Sequence, residues 1–323
     1  MRSTGVKSIK IDIKESKLKH VNLFINYWKR GYALKRVINN HKIDIIYTFL
    51  FEASIVGMIA KFFTGVKQVS SVRFGSNHYL LKPIKFKKCI EYFFYKIIYK
   101  RSWKIIANSY AGKNTLINDM KISSSKIVVI QNGFNFNKNV SKNILSKQKT
   151  DKSNIIGFVG RLNLIKNPFH AIYVTSILSK SYKIKLLIVG PEDGVLISDL
   201  TKYANKNNVD VEFTGHVEMI NEYYQLMNVL ILPSVQTEGC SNVIIEALSN
   251  GVPVVAYNVG DNKLLLDKKR GLVVEKNSSY SFAKAVEYFI NNKDDLKNKR
   301  IQYIINNFDV NNMVNKTISV LNS

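Results

Sequence analysis

Cysteine is nearly missing from this chain of 323 residues, with Cys89 and Cys240 the only two. So few thiols exclude a disulfide framework as the source of stability, and they suit a reducing compartment. No apolar run is long and clean enough for a membrane-spanning helix. The best candidate, residues 43–60, contains Glu52 and reads more easily as a strand followed by an amphipathic helix. Met1-Arg-Ser-Thr-Gly5 does not open the compact apolar region of a signal peptide. The five histidines show no metal-ligand spacing, and no Asp-X-Asp pair occurs. No strand-like segment is followed by Gly-X-Gly-X-X-Gly, so a dinucleotide dehydrogenase is poorly supported. Internal repeats and long low-complexity tracts are lacking as well.

Acidic residues are the scarcest class in the first half. Residues 1–150 hold 29 Lys plus Arg against 6 Asp plus Glu, a balance of +23, whereas residues 151–323 hold 19 against 17, a balance of +2. Nearly all of the formal net charge of +25 therefore belongs to one part of the chain. Its densest stretch, Lys82–Lys104, interleaves lysine and arginine with Tyr92, Phe93, Phe94, Tyr95 and Tyr99. Three readings compete there. Such a helix can lie in an anionic membrane interface; it can contact nucleic acid; or it can pack its rings on a sheet and leave its lysines in water. The rings occupy more than one helical face, which favours an apolar surface on two sides.

Length and pattern argue for two domains, each large enough for its own core. Short apolar runs alternate with helix-length segments throughout, the pattern of α/β units with mostly parallel sheets. The boundary is expected near 138–153, where the chain is polar and without apolar periodicity.

Two constellations carry chemistry. In Val229-Leu-Ile-Leu-Pro233 an apolar run ends at proline; Gly239 then permits a sharp turn, and a helix begins near Ser241 or Asn242. Glu238 precedes that helix and Glu246 lies about one turn into it, with seven residues between them. A helix N-terminus beyond the carboxyl end of a parallel strand favours a phosphate. Glu246 can accept hydrogen bonds from a diol such as ribose, and Glu238 faces whatever the phosphate carries. Equally, a glutamate in a first turn suits the helix dipole whatever its function. Earlier, Ile155–Gly160 reads as a buried strand, followed by a loop with Arg161 and Lys166 and a helix opened by Pro168. Planar and point-charge cations at a strand end can together neutralise a diphosphate, although a cation pair means little by itself in so basic a chain.

Taken together, Gly160-Arg161…Lys166-Asn-Pro168, Leu186–Gly190, Val211–Gly215-His-Val217, Val229–Ser234, Glu238-Gly239…Glu246-Ala247 and Gly251–Ala256 resemble the C-terminal half of family 4 retaining glycosyltransferases with a GT-B fold. Fainter matches at 42–49, 69–73, 105–109 and 126–133 are similar to strands of that family's N-terminal domain. The resemblance implies two Rossmann-like domains with mostly parallel sheets facing a central cleft. Residues 1–148 would form the acceptor side, 149–307 the nucleotide-sugar donor side, and a C-terminal helix at about 308–323 would pack back on the first domain. It further implies Glu238, Arg161 and Lys166 as catalytic groups. Gly160, Arg161, Lys166, Gly215, Glu238, Gly239, Cys240, Ser241, Asn242 and Glu246 would bind the donor, with no metal and no other cofactor.

Some features depart from the family pattern. The usual opening strand, glycine-rich loop and helix are not recognisable before the helix-like segment Leu23–Asn40, so the N-terminal domain is expected to be incomplete. Tyr47–Phe49 stand where a histidine is common, and Leu264 where an acid is common. The implied activity is metal-independent transfer of a sugar, with a uridine diphosphate sugar the expected donor and configuration retained. The expected acceptor is a lipid-linked or other saccharide of a bacterial surface polysaccharide. Partners are the nucleotide-sugar, the acceptor and an anionic membrane surface, with no nucleic acid expected; the location is cytoplasmic, on the inner membrane face. The alternative is a non-catalytic homologue that binds nucleotide-sugar or anchors a partner.

Overall fold

A computed structural model of the chain describes residues 22–75, 86–135 and 153–323, apart from residues 237, 268, 277, 293 and 294. Most of the expected boundary segment lies outside these residues.

The first half runs α1 (Asn22–Asn40), β1 (Ile45–Thr48), α2 (Leu50–Thr64), β2 (Lys67–Val72), α3 (Phe86–Arg101), β3 (Lys104–Ala107), α4 (Tyr110–Asn118) and β4 (Ile127–Val129). Its four strands pair in sequence order, all parallel. The second half runs β5 (Asn154–Val159), α5 (Pro168–Leu178), β6 (Ile184–Val189), α6 (Ile197–Lys206), β7 (Asp210–Gly215), α7 (Ile220–Leu226), β8 (Val229–Leu232), α8 (Asn242–Ser249), β9 (Val254–Tyr257), α9 (Asn262–Leu265), β10 (Gly271–Val274), α10 (Ser279–Asn291) and α11 (Lys297–Asn307); α12 (Val310–Asn322) closes the chain. Its six-stranded sheet, order β10-β9-β8-β5-β6-β7, is also parallel throughout.

Strand periodicity builds the second sheet's core. Ile156, Phe158, Leu186, Ile188, Val229 and Ile231 point into one buried cluster, while Val159, Leu187, Val189, Leu230 and Leu232 point into the cluster on the opposite face. Side chains alternate across a strand, so runs apolar at every position must be covered on both sides. Helix boundaries follow local chemistry. Pro168 occupies the first turn of α5, and Ser109 caps α4 by accepting the Gly112 amide at 3.0 Å.

The two halves touch at several places, three of which set how they meet. Met313, Val320 and Leu321 of α12 pack against Val69, Ile106 and Ile130 of the first sheet, so the last helix returns to the N-terminal half. Asp261 accepts the Tyr110 and Ala111 amides at the start of α4, both at 2.8 Å. Gly75 and Gly260 press on the Glu238 carbonyl, which a Cβ on either glycine would meet at 1.6 and 1.8 Å.

The aromatic segment of α3 divides differently from its helical pattern. Tyr99 is buried, Tyr92 and Tyr95 pack against the core of the first half, and Phe93 remains exposed. Rings that circle more than one face are thus absorbed largely by the protein's own sheet and by α2, through Phe51 tilted against Tyr95 at a centroid distance of 4.5 Å.

Candidate functional site

The order of the second sheet creates a crevice. From β5 the chain crosses to β6 and β7 on one side, and then places β8, β9 and β10 on the other. Loops leaving the carboxyl ends of β5 and β8 therefore diverge, and ligands of open α/β sheets bind at such a switch point. Residues 160–166 are the β5 loop and residues 233–241 the β8 loop. They bond to each other, the Val235 amide donating to the Ile165 carbonyl at 2.9 Å.

Lys166 and Glu238 meet in this crevice. The Lys166 ammonium donates to a Glu238 carboxylate oxygen, and both side chains are largely buried, at 19% and 10% exposure. The Lys166 stem lies over Gly160, which has φ +149°. Next along the carboxyl edge, a Cβ on Gly190 would stand 2.0 Å from the Gly160 carbonyl oxygen; the Gly190 amide in turn donates to Gly215 at 2.9 Å. Bare backbone therefore lines the β5–β6–β7 edge. Arg161 points elsewhere: its guanidinium is exposed and donates to Asp193 at 2.8 Å, where Asn163 also donates at 2.7 Å.

Helix α8 opens at Ser241, whose hydroxyl makes no capping bond. Cys240 is buried, and burial pushes its thiol up to about 11, so its contribution to the cleft is its carbonyl rather than a reactive sulfur. Glu246 lies one turn into α8 and accepts the Tyr224 hydroxyl at 2.9 Å. Burial raises the Glu246 carboxyl above its ordinary value, and the Tyr224 bond offsets part of that.

Several residues of the cleft escape a motif-based reading. Arg73, just after β2, donates to Asn132 Oδ1 at 2.8 Å; Asn132 donates across the cleft to the Cys240 carbonyl at 3.1 Å and to Asn242 Oδ1 at 2.7 Å. Asp261 stands one residue after Gly260, and burial raises its carboxyl while the two α4 amides pull it back. This acid, three positions before Leu264, meets the N-terminal half. Tyr224 supports Glu246 from α7. Only long-range proximity marks these residues; the Gly260-Asp261 turn after a buried strand was the one local signal.

Two family models match: Glycosyltransferase Family 4 over residues 13–138 and Glycosyl transferases group 1 over residues 153–292. The chain belongs to the glycosyltransferases that join these two domains, and its fold is GT-B. It is 30% identical to the capsular polysaccharide biosynthesis glycosyltransferase CapM of Staphylococcus aureus over 258 residues, 75% of this chain and 66% of CapM. It is 26% identical over 271 residues to a Campylobacter jejuni N-acetylgalactosaminyltransferase named for a diphosphoundecaprenol-linked saccharide, covering 83% of this chain and 70% of that one. Anabaena HepE, solved in complex with UDP, superposes with a TM-score of 0.78 at 21% identity, covering 90% of this chain and 82% of HepE.

Proposed function

We propose that the chain transfers a sugar from a nucleotide-sugar, a uridine diphosphate sugar above all, to a lipid-linked or other saccharide acceptor of a bacterial surface polysaccharide, with retention of configuration. The observation that carries this reading is the meeting of Lys166 and Glu238 at the β5–β8 crevice, with Glu246 one turn into the adjoining helix. UDP in HepE and the diphosphoundecaprenol-linked saccharide in the Campylobacter relative's name support the donor and acceptor classes.

In this scheme the bond from the anomeric carbon to the diphosphate oxygen breaks and its electron pair stays on the diphosphate. The acceptor oxygen forms the new bond, and its proton goes to the departing diphosphate. Charge developing on that group is met by Lys166, Arg161 and the amides from Gly239 to Asn242, which are worth most in the transition state. Donor arrival exchanges the Lys166–Glu238 pair for Lys166–phosphate, freeing Glu238 to orient sugar hydroxyls. Arg161 leaves Asp193 in the same way. Glu246 receives the ribose diol. No metal ion is needed for this sequence.

The partner surface is an anionic membrane on the cytoplasmic side, met by α1, α2 and the C-terminal end of α3. Trp28, Tyr32 and Phe62 are 42%, 46% and 79% exposed there. Trp28 and Phe62 border a cavity of about 470 Å³ whose lining also includes Lys61 and Arg101. Burial and the neighbouring Lys126 and Arg101 lower the Lys61 amine, a sign of crowded cations that an anionic headgroup would relieve. Among the described residues no helix is long and apolar enough to cross a membrane.

The test is transfer from labelled uridine diphosphate sugars to a bacterial lipid extract by the purified chain, with EDTA present. A lipid-soluble labelled product of retained configuration is expected. Nucleotide binding without product from any donor would favour the non-catalytic alternative.

A further inference from the structure

Among the described residues, Arg73 is a cleft cation that bonds only neutral acceptors. Its Nε donates to Ser71 Oγ at 3.0 Å and its Nη1 to Asn132 Oδ1 at 2.8 Å, and the guanidinium carbon stands 5.5 Å from the Phe49 ring. These contacts fix the plane of the guanidinium and leave the rest of its five-donor fork for the cavity it lines. Lys166 and Arg161, by contrast, are each held by a carboxylate.

That cavity, about 360 Å³, is built by both halves: Arg73, Asn132 and Gly133 on one side, Asn242, Ile245 and Glu246 on the other. Asn132 ties the Arg73 guanidinium to Cys240 and Asn242, at the entry to α8. A ligand there contacts the residues given to the donor and a cation from the opposite half. Its chemistry must suit the remaining arms of a guanidinium fork and the Asn242 side-chain amide, donors that fit a phosphate, beside the Glu246 carboxylate given to the ribose.

We propose that Arg73 is a third cation of the donor site, supplied by the acceptor half, which contacts the diphosphate when the halves are closed. The proposal rests on the donor reading above and deepens it. Stabilisation of the leaving group is then complete only in the closed state, because one of its cations belongs to the other domain. Donor binding and closure are thereby coupled through a charge rather than through packing alone.

The experiment compares UDP with uridine, which lacks phosphate, by calorimetric titration of the full chain, its Arg73→Gln variant and its Arg73→Lys variant. Gln keeps an amide for Asn132 and removes the charge. UDP affinity should fall roughly tenfold or more in Arg73→Gln, with Arg73→Lys intermediate and uridine affinity unchanged. Unaltered UDP affinity in both variants would overturn the proposal. So would an equal loss for UDP and uridine, which would make Arg73 a prop for the Asn132 network. If the unmodified chain binds neither compound, the donor reading fails first and the assignment of Arg73 with it.

Discussion

At the residue scale, Glu246 shows a conflict between stability and binding. Its carboxyl is raised by burial, so the fold prefers the protonated form. Stability from this group is present at acid pH and lost as pH rises through its raised value. Gln cannot ionise. The melting temperature of Glu246→Gln relative to the parent should therefore rise between about pH 4 and about pH 7, as followed by thermal unfolding at each pH. The same variant should lose roughly tenfold in UDP affinity, since a neutral amide replaces a charged acceptor for the ribose diol. A desolvated carboxylate kept at a proposed binding position is the usual form of such a trade. Lys166 and Glu238, by contrast, are paired with each other in the largely buried crevice.

At the element scale, loops at the carboxyl edges of the two sheets do the work, and their meeting depends on glycine. Gly75 from the first half and Gly260 from the second both lie on the Glu238 carbonyl, where a side chain has no room. Gly260, at φ +59°, also needs its backbone freedom. Gly75→Ala should hold the cleft ajar while each half folds normally. Small-angle scattering should report a larger radius of gyration, and transfer should fall roughly a hundredfold, the scale of a misplacement of about 1 Å at a reacting centre. The closed contact is not uniformly favourable. Asn108 Oδ1, buried beside Gly239, has no hydrogen-bond partner from the protein's described residues. Asp261 at the start of α4 works in the opposite sense, holding them together.

Elements of this kind also mark how far the sequence could be read. Strands β5, β6, β8 and β9 are apolar at nearly every position, and the first three end at glycine or proline while Pro253 opens β9, so their type and their parallel setting were legible, as was the start of α8 at Asn242. Glu238, Lys166 and Glu246 were legible because they belong to local motifs. Arg73, Asn132 and Asp261 were not. Their chemistry lies in partners 59 to 151 residues away, as in Arg73–Asn132 and Asp261–Tyr110, and no periodicity encodes such pairs. For α3, periodicity showed rings on several faces and could not say that α2 and the sheet would cover most of them.

At the scale of the whole molecule, exposed large apolar side chains occur in both halves, whereas the charge excess lies in the first. The excess of +23 in residues 1–150 accompanies the exposed rings of α1 and α2. Lys35 stands 5.0 Å from the Tyr32 ring and 5.2 Å from the Phe63 ring, so cations and rings share one face. Interfacial binding draws on both, with headgroup attraction of about 1 kcal/mol per cation and additional gain from buried rings. Replacing Trp28 and Phe62 together by Ser should reduce co-sedimentation with phosphatidylglycerol vesicles at least about tenfold at moderate salt. Binding to neutral vesicles should be weak for both proteins. Unchanged sedimentation of the double variant would move the membrane face away from α1 and α2.

The central claim is that a nucleoside diphosphate occupies the β5–β8 crevice between the halves, and the most direct measurement is a crystal structure of the full chain with UDP. The account predicts the diphosphate beside Lys166 and the entry to α8, ribose on Glu246, Glu238 released from Lys166, and Arg73 reaching across from the other half. UDP bound elsewhere, with the Lys166–Glu238 pair intact, would contradict it.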